Sequence, residues 1–309
     1  MPGTNSPQRD MRFGIFEVGV RARELRKKGV RVKMQQQPFE LLMVLLERPG
    51  VLDPAQSLAQ QKAAALKAVD LDDQLPEAHE ALAAAIFTND WNWDGALQEI
   101  TRAIQLQPRY AEAYHFRAKI LSVLNRHEEA IAAQKTATEI DPVAKPWALS
   151  LAYVLARQFD AAIADARERL ESNPSDPDLH DILGYAYDGK GMEKESEQEM
   201  EKALWLRGDA EGAAATHKEF TRGGSMAIAS WQLKRLKKQG QAKYASPVQM
   251  ADCYSRLGQR EEAIAMLEEG YRQHAPEMLW MQTWPEFDFL QGATRYRSIV
   301  KGIGLPPVY

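Results

Sequence analysis

The chain of 309 residues holds one cysteine, Cys253, so no internal disulfide can form and no disulfide framework staples the fold. That fits a reducing compartment, and a cytoplasmic location is expected. Long apolar runs are also missing. Runs such as Leu41 to Leu46 fall far short of the roughly 20 residues that a membrane-spanning helix needs, and no membrane partner is expected. The opening Met1–Ser6 lacks the apolar core of a signal peptide. Neither sign of charge dominates: 39 Lys/Arg against 43 Asp/Glu leave −4, too little for a nucleic-acid or membrane coat. The six histidines, at 79, 115, 127, 180, 217 and 274, never pair at i, i+4, and no second cysteine could help them. No metal site and no cofactor are expected.

What is present is an ordinary globular share of apolar residues, 45%, enough to bury a core. The near-neutral total hides an asymmetry. Residues 1–50 carry ten Lys/Arg and five Asp/Glu, a net of +5, which leaves −9 for the rest of a −4 chain. A basic head and an acidic body suggest two units.

Internal repetition organises the body. One stretch has Ala96, Ala103 and Pro108; the next has Ala130, Ala137 and Pro142. A third has Ala162, Arg169 and Pro174, and a fourth Ser196, Ala203 and Gly208. From Asp73 the terminating position advances by 35, 34, 32 and 34 residues. Leu183-Gly184, Tyr187 and Gly191 precede the fourth copy, and Ala251, Tyr254, Gly258 and Ala263 mark a further one. This spacing and pattern over roughly residues 55–275 resemble the tetratricopeptide repeat, a pair of antiparallel helices of about 34 residues. The residues support the same architecture directly. Ala130, Ile131, Ala137 and Ile140 recur at helical spacing, and small residues at 96, 130 and 162 allow paired helices to approach closely. Prolines at 108, 142 and 174 stop each second helix. One pair cannot bury its face alone, so neighbours must stack.

Three places depart from the pattern. Trp91-Asn92-Trp93 lengthens the first turn and reads as a packing wedge, with ligand contact as the alternative. Two residues are missing near Lys145-Pro146, and glycines at 208, 212, 223, 224 and 240 are expected to break the phase across 209–245. The end, with Trp280, Trp284, Phe287, Phe289 and Tyr296, reads as an aromatic cap with a closing helix over about 293–303.

The head reads differently. Phe13–Val18 and Gly29–Met34 alternate as strands about a turn at Arg26–Gly29, and a helix should start near Pro38. Arg12-Phe13-Gly14, Glu24-Leu25-Arg26, Gln37–Leu42 and Leu46–Val51 resemble the opening half of the winged-helix domain of OmpR/PhoB-type response regulators. That resemblance implies DNA binding, and bacterial regulators join such a domain to tetratricopeptide repeats. The chain departs from it after Val51, where Asp53-Pro54-Ala55-Gln56 begins an Ala/Gln-rich helix instead of the recognition helix and wing. Arg21, Arg23, Arg26, Lys27, Lys28, Arg31 and Lys33 remain as possible phosphate contacts.

Other chemistry is thin. Gly184–Gly191 approaches a phosphate loop, yet Gly191 stands where Ser or Thr should hold magnesium, and repeat phase explains its glycines. Cys253 reads as a small core residue, and Glu128-Glu129, Glu261-Glu262 and Glu268-Glu269 as solvated faces. Lys234–Lys238 reads as a solvated basic face. No catalytic set is expected, and the chain is not expected to be an enzyme.

The expected architecture is mainly α: a tail over 1–10, a partial winged-helix fragment with a small β-hairpin over 11–52, a tetratricopeptide-like α-solenoid over 53–275, and an aromatic cap over 276–309. The expected function is a protein-interaction scaffold, as the sensor or effector half of a bacterial transcription regulator. The alternatives are a DNA-binding regulator acting through the head and a small-molecule sensor with a pocket between 209–245 and the aromatic end. By repeat phase, the concave groove that should hold a peptide or protein partner includes Glu112, His115, Lys119, Asp178, Asp181, Tyr185 and Asp188.

Overall fold

The computed structural model describes residues 11–13, 16–19, 24–27, 30–32, 54–240 and 244–307, with side chains from residue 59 onward. The chain divides into two compact units, Met1–Pro108 and Arg109–Tyr309. Among the described residues no helix is long and apolar enough to cross a membrane.

In the first unit, backbone strands β1 (Met11–Phe13), β2 (Phe16–Gly19), β3 (Glu24–Lys27) and β4 (Val30–Val32) pair antiparallel in sequence order. Their register includes Met11 opposite Val18, Glu17 opposite Arg26, and Leu25 opposite Val32. The expected helix near Pro38 and the turn residues 28 and 29 lie outside the described residues, as do Arg21, Arg23 and Lys33. Of Arg26, Lys27 and Arg31 only the backbone is described. Three helices follow: α1 (Pro54–Leu71), α2 (Pro76–Ala85) and α3 (Trp93–Leu106). The long turn expected at Trp91–Trp93 is a π-helical extension of α2, Ile86–Asp90, closed by Trp91 in the left-handed region (φ 50°). Asn92 then caps α3 by accepting from Gly95 N at 3.0 Å. Phe87 and Trp93 meet edge to face, their centroids 5.3 Å apart, so Trp93 does act as packing.

The second unit is a stack of helix pairs. They are α4 (Ala111–Val123) with α5 (His127–Ile140), α6 (Ala148–Leu155) with α7 (Phe159–Ser172), and α8 (Pro177–Gly189) with α9 (Glu193–Leu206). A broken helix α10 (Ala210–Gly240) is followed by α11 (Pro247–Arg256) and α12 (Arg260–Arg272). Each helix contacts the next, and first helices also touch one another, α4 with α6 and α6 with α8. That second set of contacts turns paired helices into a tetratricopeptide-like solenoid. α6 spans only eight residues, which is where the sequence is short by two. Past α12, two 3₁₀ segments, Pro276–Trp280 and Pro285–Leu290, lead to α13 (Thr294–Ile303), which packs on α12.

Repeat phase survives in the turns. Left-handed residues fall at Trp91, Asn125, Arg157, Gly191, Gly224 and Gly258, advancing by 34, 32, 34, 33 and 34 residues. Arg126, Gln158, Met192 and Gln259 each donate their backbone N–H to the carbonyl five residues back at 2.9 Å, the hydrogen bond that ends a helix on a left-handed residue. In 209–245 the glycines do interrupt the helix, as the sequence suggested. The break in α10 at Gly223-Gly224 lies where the count puts a turn.

Close approach carries the packing. Ala96, Ala130, Ala162, Ser196 and Ala263 are all buried, as are Ala103, Ala137 and Ala203. A Cβ on Gly184 would stand 2.9 Å from Met200 Cγ, so α8 and α9 meet at a residue without a side chain. We expect Ala162→Leu to destabilise the fold by about 1–3 kcal/mol through overpacking. Ala164→Leu, on the exposed side of the same helix, should change stability by less than about 0.5 kcal/mol. Urea denaturation of the two variants compares them.

Candidate functional site

On α4, Glu112, His115, Phe116, Lys119 and Ser122 stand at i, i+3, i+4, i+7 and i+10 and therefore share a face. Opposite stand Leu151 and Leu155 of α6, with Lys145 and Trp147 from the loop before it. Together with Trp280 they enclose a cavity of about 310 Å³. Lys145 pairs with Glu112 at its rim. The Lys119 ammonium lies over two rings, 5.7 Å from the Phe116 centroid and 5.8 Å from that of Trp280. Burial lowers the pKa of Lys119, and the charge on Lys145 adds to the shift.

His115 is 7% exposed. Gln134 contacts its Nδ1 through Nε2 at 2.8 Å or Oε1 at 3.1 Å according to the tautomer, with the ring's own Nε2 on the far side. That Nε2 has no hydrogen-bond partner within the protein. Burial holds the ring's pKa below its ordinary value, against the hydrogen bond with Gln134. His79 and His180 differ: each places Nδ1 beside a glutamate (Glu99 at 2.7 Å, Glu199 at 2.5 Å) and Nε2 beside a backbone carbonyl.

The other expected groove residues lie on α8 and are engaged by the chain itself. Asp178 and Asp181 both bind Arg207, each at 2.6 Å. Burial raises the carboxyl of Asp181, against the pull of Arg207. Tyr185 packs on Trp284 with centroids 4.9 Å apart, and burial drives its phenol far up. Asp188 accepts from Arg256 at 2.9 Å, and the same guanidinium binds Asp252 at 3.1 Å and also Glu286. One cation thus serves three part-buried carboxylates. Burial pushes Glu286 up to about 7 against the attraction of Arg256. From the turn after α6, Arg157 grips Asp288 with two parallel bonds of 2.6 and 2.7 Å.

The segment expected only to cap the stack therefore runs over the face of the first helices: Trp280 at α4, Asp288 at Arg157, Trp284 at α8 and Glu286 at α11. It is not loosely held. Met278, Met281, Phe287 and Leu290 are almost wholly buried. Sequence reading missed Lys145, Arg157, Arg256 and Glu286: the repeat fixes where the backbone turns, as at Arg157, but not the long-range partner of the side chain there. The alternation Trp284-Pro285-Glu286-Phe287-Asp288-Phe289 was the available signal. Two further cavities adjoin here. One of about 400 Å³ has Asp181, Asp188 and Phe220 in its walls, and one of about 310 Å³ has Trp280, Trp284 and Glu286. The first borders 209–245 and the second the aromatic end.

The remaining candidates resolve as structure. Gly184–Gly189 ends helix α8, and Gly191 (φ 70°) is the repeat's turn residue. Cys253 is buried and its thiol is pushed up to about 12 by burial, which makes it unreactive. Ser150 donates to Asp165, which also holds Arg169 at 2.9 Å. The basic stretch is only partly a solvated face: Arg235 pairs with Asp209 at 2.9 Å, and Lys237 lies 5.2 Å over Tyr254. Among the described residues Glu197, Glu201 and His217 bring possible metal ligands within 4.8 Å of one another, with His217 exposed.

The geometry defines a class: a stack of helix pairs like that of tetratricopeptide repeats, with an irregular segment across its first helices. Comparisons agree. Residues 111–143 and 248–272 match the family model of the tetratricopeptide repeat. Human tetratricopeptide repeat protein 13 is 30% identical over 114 residues, 37% of this chain and 13% of that protein, so the chain spans a small part of the relative's length. A tetratricopeptide repeat protein from Parabacteroides merdae ATCC 43184 shares the fold with a TM-score of 0.51 at 15% identity, over 81% of this chain and 99% of its own. For PilW, a type IV pilus biogenesis factor, the TM-score is 0.49 at 14% identity, over 87% and 100%.

Glu286 supplies a pH test. Its folded pKa, about 7, lies above the unfolded value of 4.5. The fold therefore holds this proton more tightly, and the group's contribution is lost as pH rises from about 4.5 to about 7. Relative to wild type, Glu286→Gln should gain on the order of 2–3 kcal/mol between pH 5 and pH 8. Denaturation at the two pH values measures it, and an unchanged difference would contradict the assignment.

Proposed function

We propose that this chain is a protein-interaction scaffold which docks an extended partner segment on the face of α4 and α6. One observation carries the reading. The same face, farther along, already holds a non-helical aromatic and acidic segment of the chain itself, through ring contacts at Lys119 and Tyr185 and an ion pair at Arg157. A surface that binds such a segment internally has the chemistry to bind another. Glu112, His115 and Lys119 serve as the open part of the groove. Asp178, Asp181, Tyr185 and Asp188 serve as the part where the chain's own segment sets the boundary. Half-buried Phe116 and Leu151 supply the apolar area, and the charged rim sets register. No catalytic step is assigned to these residues.

A display-selected peptide bound by the full chain tests this. Leu151→Arg should weaken that peptide by about tenfold or more, while Ala164→Arg on α7 leaves it unchanged. Equal binding to both variants would remove the groove.

The finer reading, that the chain is the interaction half of a winged-helix transcription regulator, rests on the resemblance of residues 12–51. Phosphate contacts through Arg21, Arg23, Arg26, Lys27, Lys28, Arg31 and Lys33 would make DNA retention steeply salt-dependent. A gel shift at low salt that disappears as salt is raised is the expected result. No shift at low salt would set this reading aside.

A further inference from the structure

We propose that the cavity enclosed by α8, α11 and the C-terminal segment is a binding site for a small aromatic amine, held as its ammonium. The proposal is independent of partner docking on α4 and α6, since it concerns a different cavity and its test uses only free small amines.

Four rings line this cavity of about 310 Å³: Tyr185 of α8, and Trp280, Trp284 and Phe287 of the segment. A space of that size takes one small ring compound. Tyr185 and Trp284 already stand against each other with centroids 4.9 Å apart, and Phe287 is buried, so these walls are held in place without a ligand. An aromatic body meets such walls with offset or edge-on ring contacts. Ring faces also attract a cation that comes within about 6 Å of their centroids.

The charged groups decide the sign of the ligand. Asp252, Glu277 and Glu286 line the cavity, and among the described residues around it Arg256 is the one cation. That guanidinium is already engaged by Asp188 at 2.9 Å, by Asp252 at 3.1 Å and by Glu286. Three carboxylates on one guanidinium leave the place short of positive charge, and Glu277 adds a further negative one. Burial raises the carboxyls of Asp252 and Glu286 against the attraction of Arg256, as expected of anions without enough counter-charge. Two acceptors also lack donors. Oε2 of Glu277 and Oε2 of Glu286 are buried with no hydrogen-bond partner in the protein. A primary ammonium carries three N–H donors, so it brings both the missing charge and the missing hydrogen bonds. An anionic ligand would instead add to the repulsion. A bare metal ion needs its ligand atoms drawn together. Among the described residues the group that close is Glu197, Glu201 and His217, none of which lines this cavity.

The test compares 2-phenylethylamine with 2-phenylethanol, the same body without the charge, titrated calorimetrically into the full chain at neutral pH. The amine should bind about tenfold tighter or better, the margin of a charge-assisted over a neutral hydrogen bond. Glu277→Gln keeps the shape and removes one negative charge. It should weaken the amine by about tenfold and leave the alcohol within about twofold. The indole N–H resonances of Trp280 and Trp284 in the wild-type chain give the location, and both should move as the amine saturates. That reading and the amine–alcohol comparison decide the matter if Glu277→Gln does not fold. Equal affinity for amine and alcohol, no binding of the amine to the folded chain at about 10 mM, indole resonances that stay still at saturation, or a folded Glu277→Gln that binds the amine undiminished would each overturn the proposal.

Discussion

A curved stack of helix pairs buries the contacts between neighbours but leaves the inner face of its first helices without a neighbour. In this chain that face carries Phe116, Leu151 and Tyr185. The rest of the second unit follows from how they are covered. Residues 276–290 leave the repeat, give up regular helix, and place Trp280 and Trp284 against α4 and α8. Arg157 and Arg256 then fix the segment from two sides through Asp288 and Glu286. The cost is electrostatic: Asp188, Asp252 and Glu286 share one guanidinium in a poorly solvated place, and burial raises the carboxyls of Asp252 and Glu286. The result is a face covered by the chain's own segment at α8 and flanked by Trp280 at α4.

Much of this fold was legible because a repeat writes itself into the sequence. Alanine or serine at 96, 130, 162 and 196 marks where two helices cross, since only a small side chain lets their backbones approach. Prolines at 108, 142 and 174 fall two residues past helices ending at Leu106, Ile140 and Ser172. In 209–245 the glycines interrupt the helix at Gly223-Gly224, and the interruption falls at the spacing of the other positive-φ residues.

The site was legible only on one side. The i, i+3, i+4 and i+7 spacing of Glu112, His115, Phe116 and Lys119 brings them to one face, as the sequence implied. What stands opposite obeys no such rule. Lys145 and Trp147 come from a loop, and Arg157 meets Asp288 across 131 residues of chain. Long-range ionic contacts of that kind leave no periodic trace. The aromatic end could be recognised as something that packs, but not as something that packs inside the curve. The resemblance of the head to a winged-helix domain rests on its sequence, as the side chains that carry it lie outside the described residues.

The central claim is that the chain's own C-terminal segment occupies the inner face at α8. Nuclear Overhauser contacts between the rings of Tyr185 and Trp284, selectively labelled in the full chain, test it most directly. With centroids 4.9 Å apart the two rings should give clear cross-peaks. A folded chain with both rings assigned and no cross-peak between them would contradict the account.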